Sequence, residues 1–203
     1  MLSFLRKLLR ISCRDDAPIH PELQKMLNPK MPSETLDCVM AKLDSDNLVE
    51  RRNAAYSLGD FDVPIAIEML LNLLNDSDLF VKTYAIQSLG RRRVTAGVLP
   101  LCKLLSKNDS HPQVSSNALR VLADLRDHRA LPTLIDLLKS EDPFLRYDAA
   151  FALGEIGHRD AIPHLELLLS DDTVPESFDD DGGTTTAWCV GENAKKAIAK
   201  IRA

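Results

Sequence analysis

The chain has 203 residues, 45% hydrophobic and 27% charged, which excludes disorder along its whole length and allows a sizeable core. Aromatics are only 5%, so that core is built from Leu, Ile, Val and Ala, a mixture that favours packed helices over a sandwich or barrel. The formal net charge of −5 speaks against a protein whose main task is gripping nucleic acid, because a phosphate backbone demands clustered Lys and Arg.

Residues 1–30 hold Arg6, Lys7, Arg10, Arg14, Lys25 and Lys30 against Asp15, Asp16 and Glu22, a local charge of +3 that leaves −8 for the remainder. The opening MLSFLRKLLRISCR does not read as a signal peptide: charges interrupt any apolar stretch and no small-residue cleavage site follows. Its spacing predicts a short basic amphipathic helix over 2–14, with Leu2, Leu5, Leu8 and Leu9 on one side. The expectation is a cap over the open end of the fold rather than stable membrane insertion. One short helix holds a membrane weakly, and no apolar run reaches spanning length. PELQKML (21–27) and SETLDCVMAKL (33–43, with Ser33 as cap) read as the two helices of a half-repeat, so residues 1–44 form an N-terminal capping unit.

Residues 45–170 repeat themselves. NAAYSLGDF (53–61), YAIQSLGRR (84–92), NALRVLADL (117–125) and DAAFALGEIG (148–157) are copies of one segment, and NAKKAIAKI (193–201) is a weaker fifth. They align on the small residues Gly59, Gly90, Ala123, Gly154 and Ala199, read here as closing the first helix of each copy, at steps of 31, 33, 31 and 45 residues. Five positions earlier stand Ala54, Ala85, Ala118, Ala149 and Ala194; one position earlier stand Leu58, Leu89, Leu122, Leu153 and Ile198. A second helix follows in each full copy: IAIEMLLNLL (65–74), VLPLCKLLS (98–106), ALPTLIDLLK (130–139) and AIPHLELLLS (161–170). Pro100, Pro132 and Pro163 suit a first helical turn, where the missing N–H is not needed. The turns NDSD (75–78), KNDS (107–110) and SEDP (140–143) supply Asp and Ser for N-caps. Each hairpin is amphipathic and cannot bury its face alone, so the copies must stack. The fold class is all-α, a right-handed α-solenoid of stacked helical hairpins.

The step of 45 leaves 14 extra residues within DDTVPESFDDDGGTTTAWCV (171–190). This acidic stretch reads as a long loop before a degenerate capping repeat that completes 171–203, and Asp179, Asp180 and Asp181 are candidate partner contacts. It is not an EF-hand: with Gly182 at position 6, Ser177 falls at position 1 and Trp188 at position 12, where a carboxylate is required at both ends. Trp188 is expected to seal the end of the stack or to meet a partner.

The window FLRYDAAFALGEIGHRDAIPHLELLL (144–169) resembles the short HEAT-like repeats named for phycobilisome lyases, with an AAxALGxIG segment, a D-x-A-x-P connector and an LxxLL helix. The resemblance spans about residues 45–170 and, weakly, 184–203. It implies the stacked-hairpin fold. As an alternative function it implies a phycobilin lyase subunit, a chromophore-attaching enzyme that works with a partner chain. HEAT-like metal hydroxylases carry paired His-Glu dipeptides; none occurs here, and His20, His111, His128, His158 and His164 stand beside no second ligand at helical spacing. HEAT-like DNA glycosylases need a basic face, and Arg91, Arg92 and Arg93 form the only basic run in the repeats.

No phosphate loop, nucleophile elbow or Cys/His nucleophile pattern is visible, so no catalytic residue, metal ligand or cofactor is assigned. Cys13, Cys38, Cys102 and Cys189 lack metal spacing and read as reduced thiols of a cytoplasmic protein. In solenoids of this type the second helices line the concave face. Matching their paired leucines places Asn72, Lys103, Asp136 and Leu167 in one outward column, and Met69, Pro100, Thr133 and His164 in the next. On the first helices, Tyr56 and Phe151 stand in a column whose other members are polar, as exposed interface anchors would. The expected function is therefore a non-catalytic module or scaffold that binds another protein in its concave groove, giving a hetero-oligomer.

Overall fold

The computed structural model describes residues 35–107, 111–175 and 189–203. The basic N-terminal helix, the helix at 21–27, the Ser33 cap, Asp179, Asp180, Asp181 and Trp188 lie outside the described residues. All regular structure among the described residues is helical: α1 (Leu36–Leu43), α2 (Leu48–Leu58), α3 (Pro64–Leu73), α4 (Leu79–Arg91), α5 (Val98–Ser106), α6 (Pro112–Leu125), α7 (Leu131–Leu137), α8 (Pro143–Ile156), α9 (Ile162–Glu166) and α10 (Val190–Arg202). Single 3-10 turns, Thr95–Gly97, His128–Ala130 and Arg159–Ala161, lead into α5, α7 and α9. The fold is the α-solenoid type, built from helical hairpins.

Side chains start most of these helices. Thr35, Asn47, His111 and Asp142 each accept a hydrogen bond from an N–H of the first turn. Pro64, Pro112 and Pro143 occupy first-turn positions. His158, placed by the sequence in a connector, caps the 3-10 turn before α9 through Nδ1, which accepts from the Asp160 N–H at 3.3 Å.

The contacts divide the chain into two compact units, Met1–Ser88 and Leu89–Ala203. In the first, α2 packs against both α1 and α3. In the second, α8 lies between α6 and α10 and also meets α7, while α5 packs on α6 and α9 on α10. The repeat columns form the core. Ala54, Ala85, Ala118, Ala149 and Ala194 are all buried, as are Leu58, Leu89, Leu122, Leu153 and Ile198.

The structure corrects the role of the small residues that anchor the alignment. Only Gly59 terminates its helix, as the C-cap of α2. Gly90 and Ala123 lie inside α4 and α6, and Gly154 inside α8. α6 and α8 end later, at Arg126 (φ 52°) and Gly157 (φ 75°), whose left-handed backbones return an N–H to Leu122 and Leu153. At Gly90 and Gly154 the column is small because neighbouring first helices touch there. A Cβ on Gly154 would stand 2.9 Å from both Cα and Cβ of Ala197, and one on Gly90 would stand 2.6 Å from a methyl of Val121.

A second correction concerns Met69, placed by the sequence on the outward face and buried at 7% exposure in the structure. Its column borders the core: Pro100, Thr133 and His164 are half-buried. A flexible apolar side chain at that border turns into the seam.

Two predictions follow from this contact geometry. Ala118→Leu and Gly154→Leu should each destabilise by about 1–3 kcal/mol through overpacking. Gly157→Ala, whose new Cβ meets nothing within 4 Å, should cost only the left-handed backbone penalty of about 1–2 kcal/mol. Urea unfolding midpoints check this; an unchanged midpoint for Gly154→Leu would contradict the packing role.

Candidate functional site

The second unit carries a groove of about 600 Å³ between the end of α5, the outer side of α7 and the turn into α8. Leu105 and Leu137 supply its apolar surface, and Ser106, Thr133 and Ser140 its hydroxyls. Among the described residues Asp136, Glu141 and Asp142 bring three carboxylates against one ammonium, that of Lys139.

The walls are held by their own hydrogen bonds. Ser106 Oγ donates to the Cys102 carbonyl at 3.0 Å. Ser140 Oγ accepts from the Asp142 N–H at 3.2 Å, and Asp142 Oδ1 accepts from the Phe144 N–H at 2.8 Å to start α8. Arg146 fixes the turn from behind: its Nη1 donates to the carbonyls of Ser140 (2.8 Å) and Glu141 (3.0 Å), and its Nε donates to Asp171 Oδ2 (2.8 Å). This guanidinium is satisfied by Asp171, so the carboxylates of the groove keep their charge excess. Lys139 reaches Asp136 only at 3.5 Å, with both side chains largely exposed, a geometry that neutralises little.

Burial pushes the Asp171 carboxyl up, but the hydrogen bonds from Arg146 and Thr173 outweigh it and hold the group below the ordinary carboxylate value. The Asp127 carboxyl is lowered to about 2 by the Arg129 guanidinium and the Arg129 N–H; Arg129 also donates to the Thr95 carbonyl at 2.9 Å. Cys102 lies behind the groove, 6% exposed. Burial raises its thiol above the ordinary value, and a hydrogen bond with Thr133 only partly opposes this. A neutral buried thiol is not an activated nucleophile. Among the described residues no three His, Cys, Asp or Glu side chains converge as metal ligands.

Of the residues singled out by sequence, Thr133 and Asp136 share this groove. Lys103 is exposed on α5 and His164 half-buried on α9, and neither lines it. Asn72 is exposed on α3 of the other unit. Tyr56, 48% exposed on α2, meets Tyr84 edge-on at 5.8 Å between ring centres, and Phe151 is 45% exposed on α8. Sequence reasoning missed the wall formed by Lys139, Ser140, Glu141 and Asp142. The turn SEDP was visible as a capping segment, but its place beside α5 depends on the packing of α5 against α7.

A chain of stacked helical hairpins with a polar groove on its second helices is a helical-repeat protein of the α-solenoid class. Family models agree: "HEAT repeats" matches residues 98–176 and "PBS lyase HEAT-like repeat" matches residues 50–76. The chain belongs to the HEAT-like repeat family. It is 39% identical over 72 residues to phycocyanobilin lyase subunit alpha of Synechococcus elongatus, covering 36% of this chain and 26% of that protein. It is 27% identical over 137 residues to protein YibA of Escherichia coli K12, covering 68% of this chain and 46% of that one. The chain thus spans about a quarter and about half of these two relatives. In fold it is similar to the CpcE–CpcF complex of phycocyanin lyase from Nostoc sp. PCC7120 (TM-score 0.63, 22% identity, 92% of this chain and 69% of that one). It is also similar to computationally designed armadillo repeat proteins for modular peptide recognition (TM-score 0.54, 20% identity, 98% and 92%).

The Arg146–Asp171 pair generates a pH prediction. A lowered carboxyl adds stability that is present above its unfolded pKa and lost as pH falls through the folded value. Asp171→Asn should therefore lower Tm at neutral pH and leave a shallower acid decline than the unmodified chain shows, measured by circular dichroism melts across pH 2–7. Parallel curves for the two proteins would contradict it.

Proposed function

We propose that this chain is a non-catalytic HEAT-repeat interaction module that holds a partner polypeptide on the concave face formed by its second helices. The observation that carries the reading is the preorganised groove at Thr133 and Asp136: a mixed polar and apolar surface on a rigid turn, backed by a thiol that burial keeps neutral. Rigid walls reduce the ordering cost of binding an extended segment. In the second unit Lys103 and His164 extend the same recognition along neighbouring repeats and Phe151 serves as an anchor on a first helix; in the first unit Asn72 and Tyr56 are partner contacts of their own. The free thiols of Cys38, Cys102 and Cys189 fit a reducing cytoplasm.

A second reading, a subunit of a bilin lyase, is favoured by one observation: the similarity to the phycocyanobilin lyase subunit. The groove opposes it, because its carboxylates would repel the propionates of a tetrapyrrole.

Affinity capture of the tagged chain from its native host, with mass spectrometry and a visible absorption spectrum, tests the choice. A colourless stoichiometric protein that is lost when Thr133→Trp blocks the groove supports the interaction module. A coloured eluate containing phycobiliprotein, retained by the Thr133→Trp variant, supports the lyase and overturns the groove.

A further inference from the structure

We infer that the groove between α5, α7 and the turn into α8 takes an extended polypeptide segment through a lysine or arginine side chain. This inference rests on the reading of the groove as a partner site and specifies the chemistry of the partner.

Among the described residues, three carboxylates (Asp136, Glu141, Asp142) face the groove against the one ammonium of Lys139. The nearby guanidinium of Arg146 is spent on Asp171 and on the Ser140 and Glu141 carbonyls. Asp142 is partly engaged as a helix cap, which leaves Asp136 and Glu141 as the exposed acceptors. The leucine surfaces of Leu105 and Leu137 lie in the same groove. A long aliphatic stem ending in a cation matches that combination: the methylenes cover leucine while the charged head reaches carboxylate oxygens. An acidic side chain would meet a net like charge. A short apolar one would leave the carboxylates desolvated without partners. A volume of about 600 Å³ exceeds one side chain, so the backbone on either side of the cation lies along the groove too.

The test is fluorescence anisotropy of the full chain with short labelled peptides in which serine alternates with arginine, glutamine or glutamate. The arginine peptide should bind at least about 10-fold tighter than the other two, the scale of charge-assisted hydrogen bonds. The double variant Asp136→Asn with Glu141→Gln should lose that advantage, and Glu68→Gln, an exposed acid on α3, should keep it. Both changed groove side chains are exposed, and an unchanged circular dichroism melt confirms that the double variant folds. Arginine-peptide binding that survives the double variant would overturn the inference. Tighter binding of the glutamine or glutamate peptide, abolished by Thr133→Trp, would overturn the cationic preference and leave the partner groove standing. Absence of binding by all three peptides would overturn both.

Discussion

The fold depends on how closely successive first helices approach. Gly154 and Ala197 meet with no room for a methyl group, and Gly90 meets Val121 in the same way. Small residues at these crossings let backbones close up, and the buried Ala and Leu columns then fill the seam. The outward column Asn72, Lys103, Asp136 and Leu167 is exposed in all four second helices.

Arginine fixes several of the described turns between hairpins. In the second unit Arg146 alone joins two Ser140–Glu141 carbonyls to Asp171. In the first unit two neighbours divide the work. Arg51 Nη1 donates to the Ser45 carbonyl at 2.9 Å, while Arg52 makes a two-pronged pair with Asp78 at 2.9 and 2.7 Å and lies 4.3 Å over the Phe80 ring. Asp78 in turn accepts from the N–H groups of Phe80 and Val81, starting α4. One side chain thus ties a helix start to the helix of the preceding copy. These partly buried, doubly bonded pairs hold the turns more firmly than exposed ion pairs do, and Arg146 so anchors the turn that forms one wall of the groove.

The repeat architecture was legible in the sequence because self-packing imposes residue size at fixed intervals: an alanine five places before a small residue, a leucine one place before it. Helix ends were not legible. Arg126 adopts the left-handed conformation without being glycine, and Gly154 marks a crossing instead of a terminus. Asp136 and Thr133 were found because outward columns show as breaks in the apolar pattern. Glu141 and Asp142 were missed as groove residues because their proximity to Leu105 is set by long-range packing, to which local spacing is blind. Met69 was misplaced for a related reason: a column at the edge of the core admits either burial or exposure, and methionine takes burial.

On the proposed function, a partner polypeptide lies on the second-helix face of the second unit. Hydrogen–deuterium exchange of the chain, alone and with its captured partner, reads this directly at the backbone. The account predicts slowed exchange at 103–106 and 133–142 when the partner is bound. Protection confined to the first-helix segments around Tyr56 and Phe151, with 133–142 unchanged, would contradict it.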